Sequence, residues 1–113
     1  MSLIAEDFRE WFYLQRWLRT EDNGRREVFG PSERYPCRWE PGARRVETPD
    51  GRSVIAQGTL FTTARIGLEE LKRLRVWLPG DDPAAIGASR AAVQVYERKD
   101  LETGAFDHSE LVL

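Results

Sequence analysis

Turn chemistry recurs along the whole of this 113-residue chain and divides it into short segments. Asn23-Gly24 is a strong two-residue hairpin signal. Gly30-Pro31, Pro41-Gly42, Pro79-Gly80 and the Asp100–Gly104 stretch each read as breaks or turns. Pro49-Asp50-Gly51 is a turn with a mechanism, because Pro presets φ, Asp caps and Gly supplies a positive φ. The runs between these signals are read as strands over 25–29, 34–40, 44–48, 52–62, 75–78, 89–98 and 106–113. Pro36 places the second of these at a sheet edge or makes it irregular. In 52–62 both alternating faces are partly apolar, so that strand is expected to be central and packed on both sides. In 89–98, Ala91, Val93 and Val95 are expected to point inward. IGLEELKRL at 66–74 suits one or two helical turns, with Leu68, Leu71 and Leu74 on one face.

Residues 8–20, FREWFYLQRWLRT, fit two periods. As a helix, Phe8, Trp11, Phe12, Gln15 and Leu18 form a stripe; as a strand, Phe12 and Leu14 face one way and Trp11, Tyr13 and Trp17 the other. Five aromatics in thirteen residues favour the strand. The expected fold is therefore mainly β, a single domain over 1–113. It would be a small β-barrel or sandwich of about seven strands with one short helix or helical turn.

A formal charge of −2, from 17 basic and 19 acidic side chains, gives no whole-domain attraction for nucleic acid or an anionic membrane. Fifteen of the basic residues are Arg, which can hold carboxylates or phosphates in bidentate fashion. One cysteine excludes an internal disulfide and a cysteine-rich metal site. No signal peptide is read at the start, where Glu6 and Asp7 follow Met-Ser-Leu-Ile, and no apolar run reaches the ~20 residues of a membrane helix. A protein made in a cytoplasm is expected, with no membrane partner.

Candidate chemistry is sparse. His108, the only histidine, would need partners to act as a base or ligand, and in a strand Asp107 would point away from it. Cys37 beside Arg38 is either an activated thiol or a buried small hydrophobe, and the second is favoured. No glycine pattern makes a phosphate cradle. Glu69-Glu70 and Asp81-Asp82 read as solvated loop charges, since adjacent residues rarely converge on one bond. Trp11, Trp17 and Trp39, with arginines between them, could stack on single-stranded bases as β-barrel readers do; core and interface packing is the competing account. No catalytic, cofactor-binding or metal-binding residue is assigned, and the chain is read as non-enzymatic.

The order of segments from Phe29 onward carries a resemblance: YPCRWEP at 35–41, RRVETPDGRSVIAQGTLF at 44–61, RVWLPGDD at 75–82, AAVQVYERKD at 91–100 and FDHSELVL at 106–113. It resembles the small head–tail connectors, called stoppers or head-completion proteins, encoded in structural-gene clusters of siphophages that infect high-GC bacteria. In that family a basic stretch precedes an acidic-Gly turn, then a strand, a P-G-D type turn and a terminal strand opening Asp-His. The likeness covers about two thirds of the chain and lies in the order of its pieces. Two features depart from the pattern: IGLEELKRL stands where a short loop is usual, and Pro79-Gly80-Asp81 follows the 75–78 strand in place of a Gly-Asp before it. The neck position (adaptor, stopper or tail terminator) is left open by these departures.

The resemblance implies a β-barrel subunit of a homo-oligomeric ring in the virion neck. Portal and adaptor proteins would lie above it, the tail terminator or tail tube below, and packaged DNA would make at most non-specific contact. The expected interface or channel element is the hairpin bearing Arg44, Arg45, Asp50, Gly51 and Arg52, whose guanidinium groups would repel one another unless they met carboxylates or phosphates. Glu69 or Glu70 of an adjacent subunit could supply the carboxylates and DNA in the lumen the phosphates, or the hairpin is merely exposed and its arginines pair locally with Glu47 or Asp50. A freestanding small barrel that binds single-stranded nucleic acid is the alternative.

Overall fold

A computed structural model describes residues 8–113, so the reading of the first seven residues lies outside it. Seven strands follow in chain order: β1 (Glu10–Glu21), β2 (Arg26–Phe29), β3 (Glu33–Glu47), β4 (Ser53–Thr62), β5 (Leu74–Trp77), β6 (Gln94–Lys99) and β7 (Phe106–Val112). Two 3-10 turns, Leu68–Arg73 and Ile86–Ala88, are the helical elements among the described residues. The mainly β reading with a helical turn near 66–74 therefore holds.

All seven strands belong to one antiparallel sheet, ordered β2-β1-β3-β4-β7-β6 with β5 added on β1. The sheet curls but does not close. Val76 of β5 and Arg90, ahead of β6, make a lone bridge, each N–H donating to the other's carbonyl at 3.0 and 2.7 Å. Phe12, Leu14, Cys37, Leu60, Val76 and Leu111 fill the space inside the curl. A smaller cluster, Val46, Ala56 and Val112, lies under the β3–β4 hairpin, with Val93 and Tyr96 against it.

β1 settles the ambiguity of residues 8–20. Phe12 and Leu14 are fully buried, whereas Trp11 is 49% exposed, the alternation of a strand. The chain leaves β1 through a tight loop in which Asp22, Asn23 and Gly24 all take positive φ, tolerable for these residue types.

Several expectations are corrected by long-range pairing. β3 is not an edge strand, since both β1 and β4 pair with it, but at Pro36 only β1 does, opposite Trp11. The β4 ladder begins one residue later, at Cys37 opposite Thr62, and the Thr62 hydroxyl donates to the Pro36 carbonyl at 3.0 Å. The missing N–H thus falls where β4 has ended, and no ladder bond is lost. Pro41-Gly42 does not turn the chain. β3 runs through it, and the register against β4 slips from Pro41 opposite Gly58 to Arg44 opposite Ala56, a one-residue bulge that bends a long strand. β4 is central, but only its second half is covered on both faces; Ile55 in its first half is 63% exposed. Ahead of β6, Ala92 is buried and Ala91 exposed, the reverse of strict alternation from Ser89, because regular pairing in that run starts only at Gln94. Leu71 and Leu74 are buried as expected, but Leu68 is 53% exposed at the start of its 3-10 turn.

Candidate functional site

The side chains with chemical potential are engaged in structure. A bulge opposite Arg98 and Lys99 makes Asp107 an extra residue in β7, which overturns the expectation that it would face away from His108. Its Oδ2 lies 2.7 Å from His108 Nδ1, and the imidazole is buried beside Phe61. Glu110 Oε2, 3.9 Å from His108 Nε2, also receives Arg98 Nε. The histidine is thus hydrogen-bonded and held on the sheet's outer face. Among the described residues no group of three or more His, Cys, Asp and Glu could hold a metal ion.

Cys37 is fully buried, and burial, with a smaller contribution from Glu10, pushes its thiol up to about 12. An unreactive thiol is expected: a thiol reagent should label the native protein far more slowly than the urea-unfolded chain, and equal rates would contradict the buried placement. The sign of the pH effect follows. Above about 9 the unfolded thiol ionises while the folded one stays neutral until about 12, so this group lowers stability as pH rises through that window.

In each acidic pair one carboxylate is held: Glu70 and Asp82 have partners, whereas Glu69 is exposed and has none among the described residues. Glu70 accepts from Arg16 Nη1 at 2.7 and 2.9 Å and from the Gly67 N–H at 2.8 Å, while Arg16 also reaches Glu33 at 3.1 Å. This knot ties the 3-10 turn to β1 and β3, so Glu70 is a structural carboxylate and not the solvated loop charge expected. Asp82 Oδ1 accepts the Ala84 N–H in the turn after β5.

The three tryptophans of the stacking reading do not form one platform. Trp11 and Trp17 share the outer face of β1, but guanidinium groups cover them: Arg34 lies 4.3 Å from the Trp11 ring and Arg73 4.1 Å from that of Trp17. Trp39 packs against the core cluster inside the curl. Four further arginine–aromatic stacks, Arg75 on Phe29, Arg38 on Phe61, Arg65 on Phe106 and Arg98 on Tyr96, bring the total among the described residues to six. About one such stack per 70–80 residues is usual, so much of the arginine excess serves to cover outer aromatics.

The hairpin of β3 and β4 differs from the rest. Its tip is rigid: the Thr48 N–H donates to Arg52 O at 2.7 Å, the Gly51 N–H to Thr48 O at 2.9 Å, and the Thr48 hydroxyl to Asp50. Gly51 takes φ +86°, which the Pro-Asp-Gly chemistry anticipates. Arg52 pairs with Asp50 at 3.2 Å. The expected cluster of three guanidinium groups is dispersed by strand alternation. Arg44 lies on the flank of Val46, Arg45 on the opposite flank across from Ile55, and Arg52 in the tip. Arg44 and Arg45 are exposed and have no ion pair among the described residues. The hairpin's inner flank, Val46, Val54 and Ala56, turns toward the protein, and Gln94 Nε2 donates to the Glu47 carbonyl at 3.1 Å.

Between the hairpin tip and the Leu68–Arg73 turn lies an open cleft of about 290 Å³. Pro49, Val54, Leu68, Leu71 and Val93 make its apolar walls, and Asp50, Arg52 and Glu69 its polar rim. Sequence reasoning found the hairpin but missed the cleft, which exists only because the 66–74 segment folds back beside the tip. No family model, curated protein or solved structure matches the chain.

Proposed function

We propose that this chain is a structural subunit of a tailed-phage neck, a stopper-type head–tail connector that closes the DNA-filled head and offers a docking face to the tail. The observation that carries the reading is the two-sided hairpin at 44–55, within the longest segment of the family resemblance. One flank is anchored on the chain's own core; the other presents exposed Ile55 beside unpaired Arg45. An apolar residue beside a free guanidinium on a hydrogen-bonded hairpin supplies the residue types that subunit contacts use, although a single exposed apolar side chain does not by itself demand one. His108, Cys37, Glu70 and Asp82 are committed to internal contacts, which supports a structural account over a catalytic one.

The reading gives a clear expectation for the virus. Removing the gene should leave filled heads and unattached tails, or heads that have lost their DNA, in electron micrographs. Reversing Arg44 and Arg45 to Glu should reproduce that defect while the subunit still folds, since both side chains are exposed. Normal tailed, infectious particles without the gene would overturn the connector reading. Tail-less particles without the gene, but normal ones from the double reversal, would move the interface elsewhere. The purified protein should be largely monomeric at micromolar concentration, because it lacks a long apolar face, and should assemble on its neck partner. Salt-sensitive binding to single-stranded DNA by the isolated protein would instead favour a nucleic-acid-binding domain.

A further inference from the structure

Resting on the connector reading, we propose that copies of this chain join head to tail by seating the outer flank of the β3–β4 hairpin in the next copy's cleft. Ile55 enters between the hairpin tip and the 3-10 turn, and Arg45 meets Glu69. Both halves of the contact are on this chain, so the occupant is a second copy. The cleft, about 290 Å³, is at the lower end of ligand-site sizes and suits a branched aliphatic side chain better than a cofactor. Ile55 and Leu68 are 63% and 53% exposed.

The charges choose between the two candidate carboxylates. Glu70 is already held by Arg16 and the Gly67 N–H, so recruiting it would dismantle the knot that fixes the turn. Glu69, on the cleft rim, is exposed and has no hydrogen bond or ion pair among the described residues. Arg45 is equally unpaired and lies directly across from Ile55. On the rim Arg52 is paired with Asp50 at 3.2 Å, which leaves Glu69 as the unpaired charge, so an apolar anchor with an adjacent cation faces an apolar slot with an adjacent free anion.

Strand alternation dictates the geometry of addition. Val54 lines the cleft, and its neighbour Ile55 points to the other flank, so one hairpin is both wall and plug and cannot fill its own cleft. The two patches differ, and the contact is heterologous; each copy accepts one neighbour and offers itself to the next. Repeated with a closing rotation, this makes a ring. A contact with one apolar anchor is weak between free copies and is reinforced when a neck partner gathers them.

Sedimentation equilibrium of the purified full chain at millimolar concentration tests this directly. Wild type should self-associate weakly. Arg45→Glu and Glu69→Arg should each weaken association by about tenfold, because attraction becomes like-charge repulsion. The Arg45→Glu/Glu69→Arg double variant should recover it, and Ile55→Asp should abolish it. All these positions are exposed, and unchanged circular dichroism would confirm intact folds. In an Ile55→Cys/Leu68→Cys variant, a short bismaleimide should give a ladder extending beyond dimers, with Cys37 protected by burial. Failure to self-associate, single reversals without effect, or a double reversal that does not recover would overturn the proposal. These measurements need no virus, so they stand apart from gene removal, on which the connector reading depends.

Discussion

Replacing Gly58 by Ala should destabilise the domain by about 2–3 kcal/mol, although it adds only one methyl group to a strand. A Cβ there would lie 2.5 and 2.8 Å from Cη2 and Cζ2 of Trp39 and 2.7 Å from the Glu40 carbonyl oxygen. The indole is packed against the core and cannot swing away freely, and the carbonyl belongs to the paired strand. Gly58 also stands opposite Pro41, where the β3 bulge begins, and its carbonyl accepts the Leu113 N–H at 3.1 Å. Relief by backbone movement would therefore disturb β3, β4 and the chain end together. At roughly 4 °C per kcal/mol for a domain of this size, a thermal scan should show a midpoint lower by about 10 °C. Gly87→Ala is the control: nothing lies within 4 Å of a Cβ there, and its φ is ordinary, so the midpoint should hardly move. Trp39→Phe in the Gly58→Ala background should recover part of the loss, since the crowded indole atoms go and the Glu40 carbonyl remains. A Gly58→Ala protein as stable as wild type would show that the close approach of Trp39 is wrong.

The same region shows which parts of the fold are legible in the residues alone. Two Pro-Gly pairs look alike in sequence. Pro79-Gly80 turns the chain, with Gly80 at φ +91° and the Asp81 N–H donating to Leu78 O at 3.0 Å. Pro41-Gly42 is carried through β3 as a bulge. Local chemistry permits both outcomes; the partner strand decides, and β4 offers Gly58 where the bend needs room. Hairpin tips depend on local chemistry, which is why Asn23-Gly24 and Pro49-Asp50-Gly51 could be read directly. Pro36 inside a sheet and Asp107 turned onto His108 depend on where a neighbouring ladder ends or slips, which no short window of sequence contains. The order within the hairpin tip is readable for the same local reason, since Thr48 to Arg52 bond among themselves. The split of Arg44, Arg45 and Arg52 onto separate flanks required the bulge and register, and the division of labour between Glu69 and Glu70 required knowing that Arg16 crosses from β1 to take one of them.

Adjacent residues in β1 should respond very differently to truncation. Phe12→Ala should cost about 3–5 kcal/mol, because the ring is fully buried, 6.1 Å from the Tyr35 ring, and leaves a cavity that its neighbours cannot fill. That is a large part of the 5–15 kcal/mol by which such domains are stable, so much of the variant should be unfolded at physiological temperature. Trp11→Ala removes a larger side chain, yet its indole is half exposed and held mainly by Arg34, so a loss of about 1 kcal/mol is expected. The contrast discriminates between the two periods that residues 8–20 allow. A helix with Trp11 and Phe12 on one stripe would make both truncations costly, whereas a strand makes one costly and its neighbour cheap. Urea unfolding with unchanged slopes reads the difference as a shift in midpoint. Similar midpoints for the two variants would return this segment to the helical reading. The sheet would then lose its hub, because β1 pairs with β2, β3 and β5 and no other strand joins those three.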